Sequence, residues 1–242
     1  LLRHGGLRGQ DEILAMCGID SSRVIHFTDH DRLSMDELVV PIRDKGGSHL
    51  VPGLVDGIRS AISPPAYSKQ RGRLVYVSRA ESPRRPLVNE SAVQALLVRH
   101  GFEVHELTGM SVGDQISLFS EAAVIVSSHG AGLTNLMWCQ AGTSVIELLP
   151  ERHRVPCFLD ICVDRGLRHQ VVVCPQPGDE PGLSAAMRVP EDELLQKIEA
   201  LDLESPMVKE RGETGWFFFA FSARGDVLAA GSALSGDWQG RS

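Results

Sequence analysis

The chain has 242 residues and a mass of 26.3 kDa, with 43% hydrophobic and 23% charged residues. That composition is ordinary for a globular protein and excludes a disordered tail, a collagen-like fibre and a disulfide-built miniprotein. Lys+Arg 24 against Asp+Glu 31 leaves a net charge of −7, so a nonspecific polyanion binder is disfavoured and no nucleic-acid partner is expected.

In chain order, Arg23 to Thr28 reads as a strand leading into the polar cluster Asp29, His30 and Asp31, and Glu37 to Pro41 as a second short strand. A Gly/Pro-rich stretch follows, and Ser63-Pro64-Pro65 breaks any helix there, marking an interdomain linker. From Arg73 the pattern turns regular. The strand candidates are Leu74–Ser78, Glu103–Leu107, Ala123–Ser127, Ser144–Leu149 and Gln170–Cys174. Each is short, apolar on nearly both faces and bounded by polar residues or glycine, as buried parallel strands are.

Helical stretches fill the gaps. Asn89 is placed to N-cap a helix whose apolar face is Val93, Leu96 and Leu97, with Gly101 just past its end. Ser111 and Asp114 have the spacing of a capping box before Val112, Ile116 and Phe119. Pro190 followed by Glu191, Asp192 and Glu193 opens a helix with a stripe of Leu194, Leu195, Ile198 and Leu201. Alternating strands and helices predict an α/β domain over 69–205, a doubly wound Rossmann-like parallel sheet. Residues 1–68 are then a partial N-terminal α/β domain and linker. The tail, 206–242, is weakly specified, with a hairpin from Trp216–Ser222 and Val227–Ala230. Its most apolar run, Trp216 to Phe221, is far short of the roughly 20 residues that cross a bilayer.

The five cysteines, an odd number without a C-x-x-C pair, predict reduced and mostly buried thiols, not a complete disulfide framework or a zinc site. The sequence opens at Leu1 with no basic-then-apolar leader and is read as lacking an N-terminal portion. Location then depends on the source: cytoplasm for a bacterial protein, Golgi or ER lumen for a eukaryotic one whose anchor lies outside this chain.

In open α/β sheets, ligands bind beyond the carboxyl ends of the strands. Three such ends hold unusual residues. Ser78 to Arg85 ends a strand and, with Arg71 and Arg73, gathers five arginines: Arg71, Arg73, Arg79, Arg84 and Arg85. The guanidinium fork suits phosphate, although a solvated loop with surface ion pairs explains the cluster too. Ser127 to Asn135 carries His129-Gly130-Ala131-Gly132 at a strand-to-helix turn, where exposed amides favour an anion. The alternative is a tight turn with His129 bonded to neighbouring backbone. Glu147 stands inside an apolar strand, which requires either a ligand hydroxyl or an internal pair with Arg79 or Arg84. Together these ends point to an anionic, ribose-bearing ligand. A nicotinamide-dependent oxidoreductase is the rival, but Asn135 stands where the third glycine of its fingerprint belongs, and neither a P-loop nor an H-E-x-x-H motif occurs.

The series Tyr76-Val-Ser-Arg79, Arg84-Arg85, Asn89-Glu90, Gly101-Phe102, Gln115, Ser128-His129-Gly-Ala-Gly-Leu-Thr-Asn135 and Val145-Ile-Glu147-Leu148 resembles family-61 glycosyltransferases, most clearly over about 76 to 150. The resemblance implies a GT-B architecture of two Rossmann-like domains. It implies inverting, metal-independent transfer from a nucleotide-sugar donor, typically UDP-linked, to a glycan or glycoprotein acceptor, with no cofactor beyond the donor. On this mapping Arg79, Arg84, Arg85 and the turn His129, Gly130, Ala131 and Gly132 are candidates for the diphosphate. Asn89, Glu90, Asn135 and Glu147 are candidates for orienting the nucleoside or supporting the loop, unless Asn89 only caps its helix and Glu90 only binds a neighbouring arginine. Catalytic candidates are His129 and, for the base, Asp29, His30 and Asp31. Some 70 residues before the linker are few for a complete partner domain, so an inactive remnant that only binds is the other reading.

Overall fold

The computed structural model describes residues 8–24, 34, 36–37, 39, 53–62, 72–80 and 84–201, with the backbone of strands 210–212, 215–221 and 227–232. Its centre is a five-stranded parallel sheet of β1 (Arg73–Val77), β2 (Glu103–His105), β3 (Ala122–Ser128), β4 (Ser144–Pro150) and β5 (Arg168–Cys174), in the order β2-β1-β3-β4-β5. All five expected strands form, with ends displaced by two residues at most. The central strands read apolar on both faces because both faces are covered.

Side chains alternate between two cores. On one face Tyr76, Val124, Val126, Ile146, Leu148 and Val172 pack under α3 (Glu90–Arg99) and α6 (Glu191–Glu199), which contribute Val93, Leu97 and Leu194. On the other, Val75, Val77, Ile125 and Val145 meet α4 (Val112–Glu121), α5 (Cys157–Arg165) and a 3-10 helix, Ala131–Trp138. The sheet is thus doubly wound, as the alternation predicts. The chain leaves β1 for β2 on one side and returns to β3 on the other, so the carboxyl ends of β1 and β3 diverge at a topological switch point.

The caps follow their local chemistry. Ser111 Oγ accepts from the Asp114 amide at 3.0 Å, closing the start of α4. Gly101 follows α3 with φ +82°, a conformation that favours glycine. The segment after Gly130 is a 3-10 helix and not the α-helix expected there. Asn89 occupies the N-cap position of α3, but its side chain does not cap. It reaches residues a hundred positions away instead: Oδ1 accepts from the Val189 amide at 3.0 Å, while Nδ2 donates to the Val189 carbonyl and to Glu191. A side chain expected to serve its own helix therefore ties α3 to the start of α6.

Ahead of the sheet the described elements are helical. Arg23 closes a 3-10 helix, Ser21–Arg23, whose Ser22 amide is capped by Asp20, and Val24 after it is extended. Residues 25–28 of the expected strand, the Ser63–Pro65 linker and the cluster at 29–31 lie outside the described residues. Two helices occupy stretches with no expected element: α1 (Arg8–Met16) and α2 (Leu54–Ala61). Val55, Ile58 and Ile62 enter the same core as Ile116, Leu136 and Trp138, and Glu12 accepts the Val112 amide at 2.5 Å. The tail forms a three-stranded antiparallel sheet, β6 (Glu210–Gly212), β7 (Gly215–Phe221) and β8 (Val227–Ser232), which contains the expected hairpin and adds one strand. No helix among the described residues is long and apolar enough to cross a membrane. All five thiols are free, with Cys139, Cys162 and Cys174 buried.

Replacing Asn89 by alanine removes the tether and leaves the Val189 amide without its side-chain acceptor. We expect Asn89→Ala to lower unfolding stability by about 1–3 kcal/mol, measured as a shift in urea midpoint.

Candidate functional site

Of the residues flagged from the sequence, Arg79, Arg85, His129 and Gly130 come together at the switch point, whereas Arg73 opens β1 at the other end of the strand and pairs with Glu103 and Glu121. β1 ends and hands the chain to Ser78 and Arg79; β3 ends and hands it to His129 and Gly130. The two segments meet at one atom. Arg79 Nη1 donates to the His129 carbonyl at 3.3 Å, and Arg85 Nη2 donates to the same carbonyl at 3.2 Å. Arg79 Nη2 also donates to the Arg84 carbonyl at 3.1 Å, and Arg85 Nη1 to the Leu183 carbonyl at 2.9 Å. The arginines at 84 and 85 therefore divide: Arg84 contributes backbone and an exposed side chain, while the Arg85 guanidinium turns inward.

Arg85 is an unusual residue. It is 7% exposed, its φ is +53°, and it is the one non-glycine residue with positive φ among the described residues. Its side-chain hydrogen bonds go to backbone carbonyls, its Nε is buried without a partner, and no carboxylate forms an ion pair with it among the described residues. Burial, reinforced by the neighbouring Arg84 charge, pulls its guanidinium below the usual arginine range. Arg79 is shifted the same way, by burial and then by Arg85. A buried cation held by backbone dipoles, on strained backbone, is unfavourable for the folded chain.

Gly130 makes this packing possible. A Cβ at 130 would collide with Arg79 Nη1 and lie 3.6 Å from Arg85 Nη2. The backbone there is extended, so the requirement is one of space, not of dihedral freedom. Gly132 is close-packed as well, its missing Cβ standing 3.0 Å from Leu107 Cδ1. Asn135 holds the turn from behind, donating to Gln115 Oε1 at 2.9 Å and to the Gly132 carbonyl at 3.2 Å. The amides of Ala131 and Gly132 open the 3-10 helix, where no earlier helical carbonyl exists to accept them.

Glu147 does not pair with Arg79 or Arg84, the internal partners expected for it. It is 3% exposed and pairs with two imidazoles and no arginine: His129 Nδ1 lies 2.5 Å from Oε1, and His169 Nε2 lies 2.8 Å from Oε2. His129 is accordingly bonded through its ring to a carboxylate, not to neighbouring backbone. Strand register explains the arrangement. Ser127 pairs with Glu147, and Val145 pairs with His169. With side chains alternating every second residue, positions 129, 147 and 169 fall on one face along a diagonal over three strands. The two rings bond opposite oxygens, and no described group of His, Cys, Asp or Glu is arranged to hold a metal ion. Burial pushes the Glu147 carboxyl up, but the bonds from His129 and His169 outweigh it and the net shift is downward. Phe158 of α5 packs edge-on to the His129 ring at 5.0 Å, and His153 does so at 5.5 Å. Burial and the His129 and Arg85 charges lower His153. Burial and then Glu147 raise the nearby Cys157 thiol, so it is not a ready nucleophile.

Glu90 binds no arginine. Its carboxylate accepts from Tyr76 Oη at 3.0 Å, Ser78 Oγ at 2.7 Å and Gln94 Nε2 at 3.0 Å. These neutral donors fix the first turn of α3 against the end of β1. Asp29, His30 and Asp31, which also have D-x-D spacing, lie outside the described residues. The run Gly109-Met110-Ser111-Val112-Gly113 has the spacing of a hydrolase nucleophile elbow. The structure disposes of it: Ser111 Oγ donates to Asp114 at 2.6 Å and caps α4, and β2 ends at His105, too early to run into a turn at Ser111.

The sequence model of the glycosyltransferase 61 family matches residues 11–146, more than half of the chain. The chain belongs to the glycosyltransferase 61 family. Among curated relatives, a beta-1,2-xylosyltransferase, RCN11, of Oryza sativa subsp. japonica is 32% identical over 66 residues, 27% of this chain and 12% of that protein. The beta-1,2-xylosyltransferase of Arabidopsis thaliana is 31% identical over 75 residues, 31% of this chain and 14% of that protein. The similarity to these relatives thus spans about an eighth of their length. In this family-61 chain His169 and His153 are the neighbours that sequence reasoning missed.

The Glu147 carboxyl is depressed in the folded state, so its bonds contribute stability above its ordinary value of 4.5 and lose it as pH falls through the folded value. We expect the stability gap between wild type and Glu147→Gln to be widest near neutral pH and to shrink below pH 4.5. Urea midpoints across that range give the measurement.

Proposed function

We propose that this protein transfers a sugar, with inversion, from a nucleotide-sugar donor of the UDP class to a glycan or glycoprotein acceptor. The observation that carries the reading is the convergence of Arg79 and Arg85 on the His129 carbonyl, with Arg85 buried and lacking a carboxylate. A diphosphate supplies the missing anion. Family membership and the xylosyltransferase relatives support glycosyl transfer, and the open end of a doubly wound sheet is where a nucleotide binds. We assign this sheet to the donor-side domain of a GT-B architecture, with the acceptor side in the other domain.

Inverting transfer requires that charge growing on the departing diphosphate be stabilised and that a base take the acceptor proton. Two guanidinium groups and the amides at 131–132 serve the first need without a metal. They are preorganised: the His129 carbonyl, Leu183 and Arg84 hold the arginines before a ligand arrives. For the second need, Asp29, His30 and Asp31 remain the candidates from the partner segment. His129 sits at the diphosphate and serves there as a hydrogen-bond donor.

A thermal-shift panel of nucleotide sugars tests this reading: UDP-linked donors should raise the Tm, and a panel with no stabilising nucleotide would sink it. Arg79→Ala should weaken UDP binding by more than about tenfold with little change in Tm. Gly130→Ala should do the same by evicting the Arg79 guanidinium, whose flexible end can move without unfolding the turn. Calorimetry on both variants gives the affinities, and unchanged binding in both would remove this corner from the donor site.

A further inference from the structure

His169 has no place in the donor site just described, yet it completes a buried polar line that begins there. Its Nε2 lies 2.8 Å from Glu147 Oε2, its side chain is 9% exposed, and the other Glu147 oxygen lies 2.5 Å from His129 Nδ1. We propose that His169 is a positioning residue for the donor contact: through Glu147 it fixes His129 with its inner proton on Nδ1, so that Nε2 is the nitrogen offered to the diphosphate. This rests on the donor reading above and adds to it the group that orients the histidine.

The argument runs along the hydrogen bonds. An ionised carboxylate is an acceptor only, so both imidazole nitrogens facing Glu147 must carry protons. For His129 that leaves one tautomer when neutral, Nδ1–H. No hydrogen bond joins its Nε2 to another described residue, so on this buried ring that nitrogen is the one left to bond a ligand. The logic is that of a carboxylate behind a functional histidine, which sets ring orientation and tautomer without reacting. Here the carboxylate is itself buried, and a single bond to His129 would leave its second oxygen unsatisfied in an apolar face beside Cys157 and Phe158. His169 satisfies it. With that donor gone, Glu147 either turns toward another partner or takes up a proton, and in both cases its claim on His129 Nδ1 weakens.

Among the described residues no other donor bonds Glu147. Arg79 and Arg85 bond the His129 carbonyl and not Glu147, and His153 meets the His129 ring by its edge. The Cys157 and Cys162 thiols near the carboxylate are shifted up, chiefly by burial, and are not anionic competitors.

The test compares wild type, His169→Leu and His169→Gln, the last retaining a side-chain amide that can donate to Glu147. Imidazole nitrogen NMR on the ligand-free protein reads the His129 tautomer, and calorimetry reads UDP affinity. Wild type should hold His129 as Nδ1–H. His169→Leu should populate both tautomers and bind UDP about tenfold more weakly, and His169→Gln should recover most of both. If wild type binds UDP and His169→Leu matches it in tautomer and affinity, the assignment of His169 falls while the donor reading stands. It falls also if Leu and Gln lose affinity equally with the tautomer unmoved. A wild-type protein that ignores every nucleoside diphosphate, with a normal His129 spectrum, overturns the donor reading and with it the role given to His169.

Discussion

The organisation of the site depends on His129 being held twice. Its carbonyl is the shared acceptor for two guanidinium groups, and its ring is clamped by a buried carboxylate. One residue thereby couples the loop after β1, the turn after β3 and the middle of β4. The coupling is possible because parallel strands deliver their carboxyl ends to the same edge, and because β1 and β3 part there. Hydrogen bonds to charged groups contribute more than neutral ones, and here three charged side chains, Arg79, Arg85 and Glu147, bond one residue's polar atoms.

Arg85 illustrates what preorganisation costs. Its left-handed backbone and its burial without a counter-charge are both unfavourable, and both are imposed by the fold around it. The Arg85 amide donates to the Ser184 carbonyl and its guanidinium to Leu183, so the 181–185 turn acts as a jig for the side chain. That turn is fixed in its own right: Gln176 donates to the carbonyls of Gly182 and Ala185, and a Cβ at Gly182 would run into the Arg152 backbone. Residues far along the chain thus hold one guanidinium in place.

Much of this was legible in the residues. Buried parallel strands are short apolar runs, and five of them stood out, as did the capping box at Ser111 and the glycine after α3. The site was legible in outline because arginines, glycines and one acid sat at strand ends. What escaped did so for identifiable reasons. The apolar run points to β5 starting at Gln170, whereas the strand begins at Arg168 because Arg168 and His169 pair with Ser144 and Val145 despite being polar. A strand start at Gln170 leaves His169 outside the sheet and leaves Glu147 only arginines as expected partners. Reading period-two alternation back from Val171 would have placed that histidine on the same face as the acid. Asn89 misled because a good N-cap residue can be recruited by a distant backbone, and no local signal says which will happen. The helices α1 and α2 are short and owe their stability to packing on the α4 side of the sheet, which local propensity does not report.

The diagonal of His129, Glu147 and His169 also bears on how the sheet assembles. Apolar runs such as those of β3, β4 and β5 are nearly indifferent to sliding by one step, since either face presents valine, isoleucine or leucine. A slip of one residue in β4 would carry Glu147 to the opposite side, among Val126, Leu148 and Val172, where no imidazole waits. An unmatched carboxylate there would cost more than the slipped pairing gains. The acid in the middle strand therefore works as a key, admitting one alignment of three otherwise interchangeable hydrophobic strips and rejecting its neighbours.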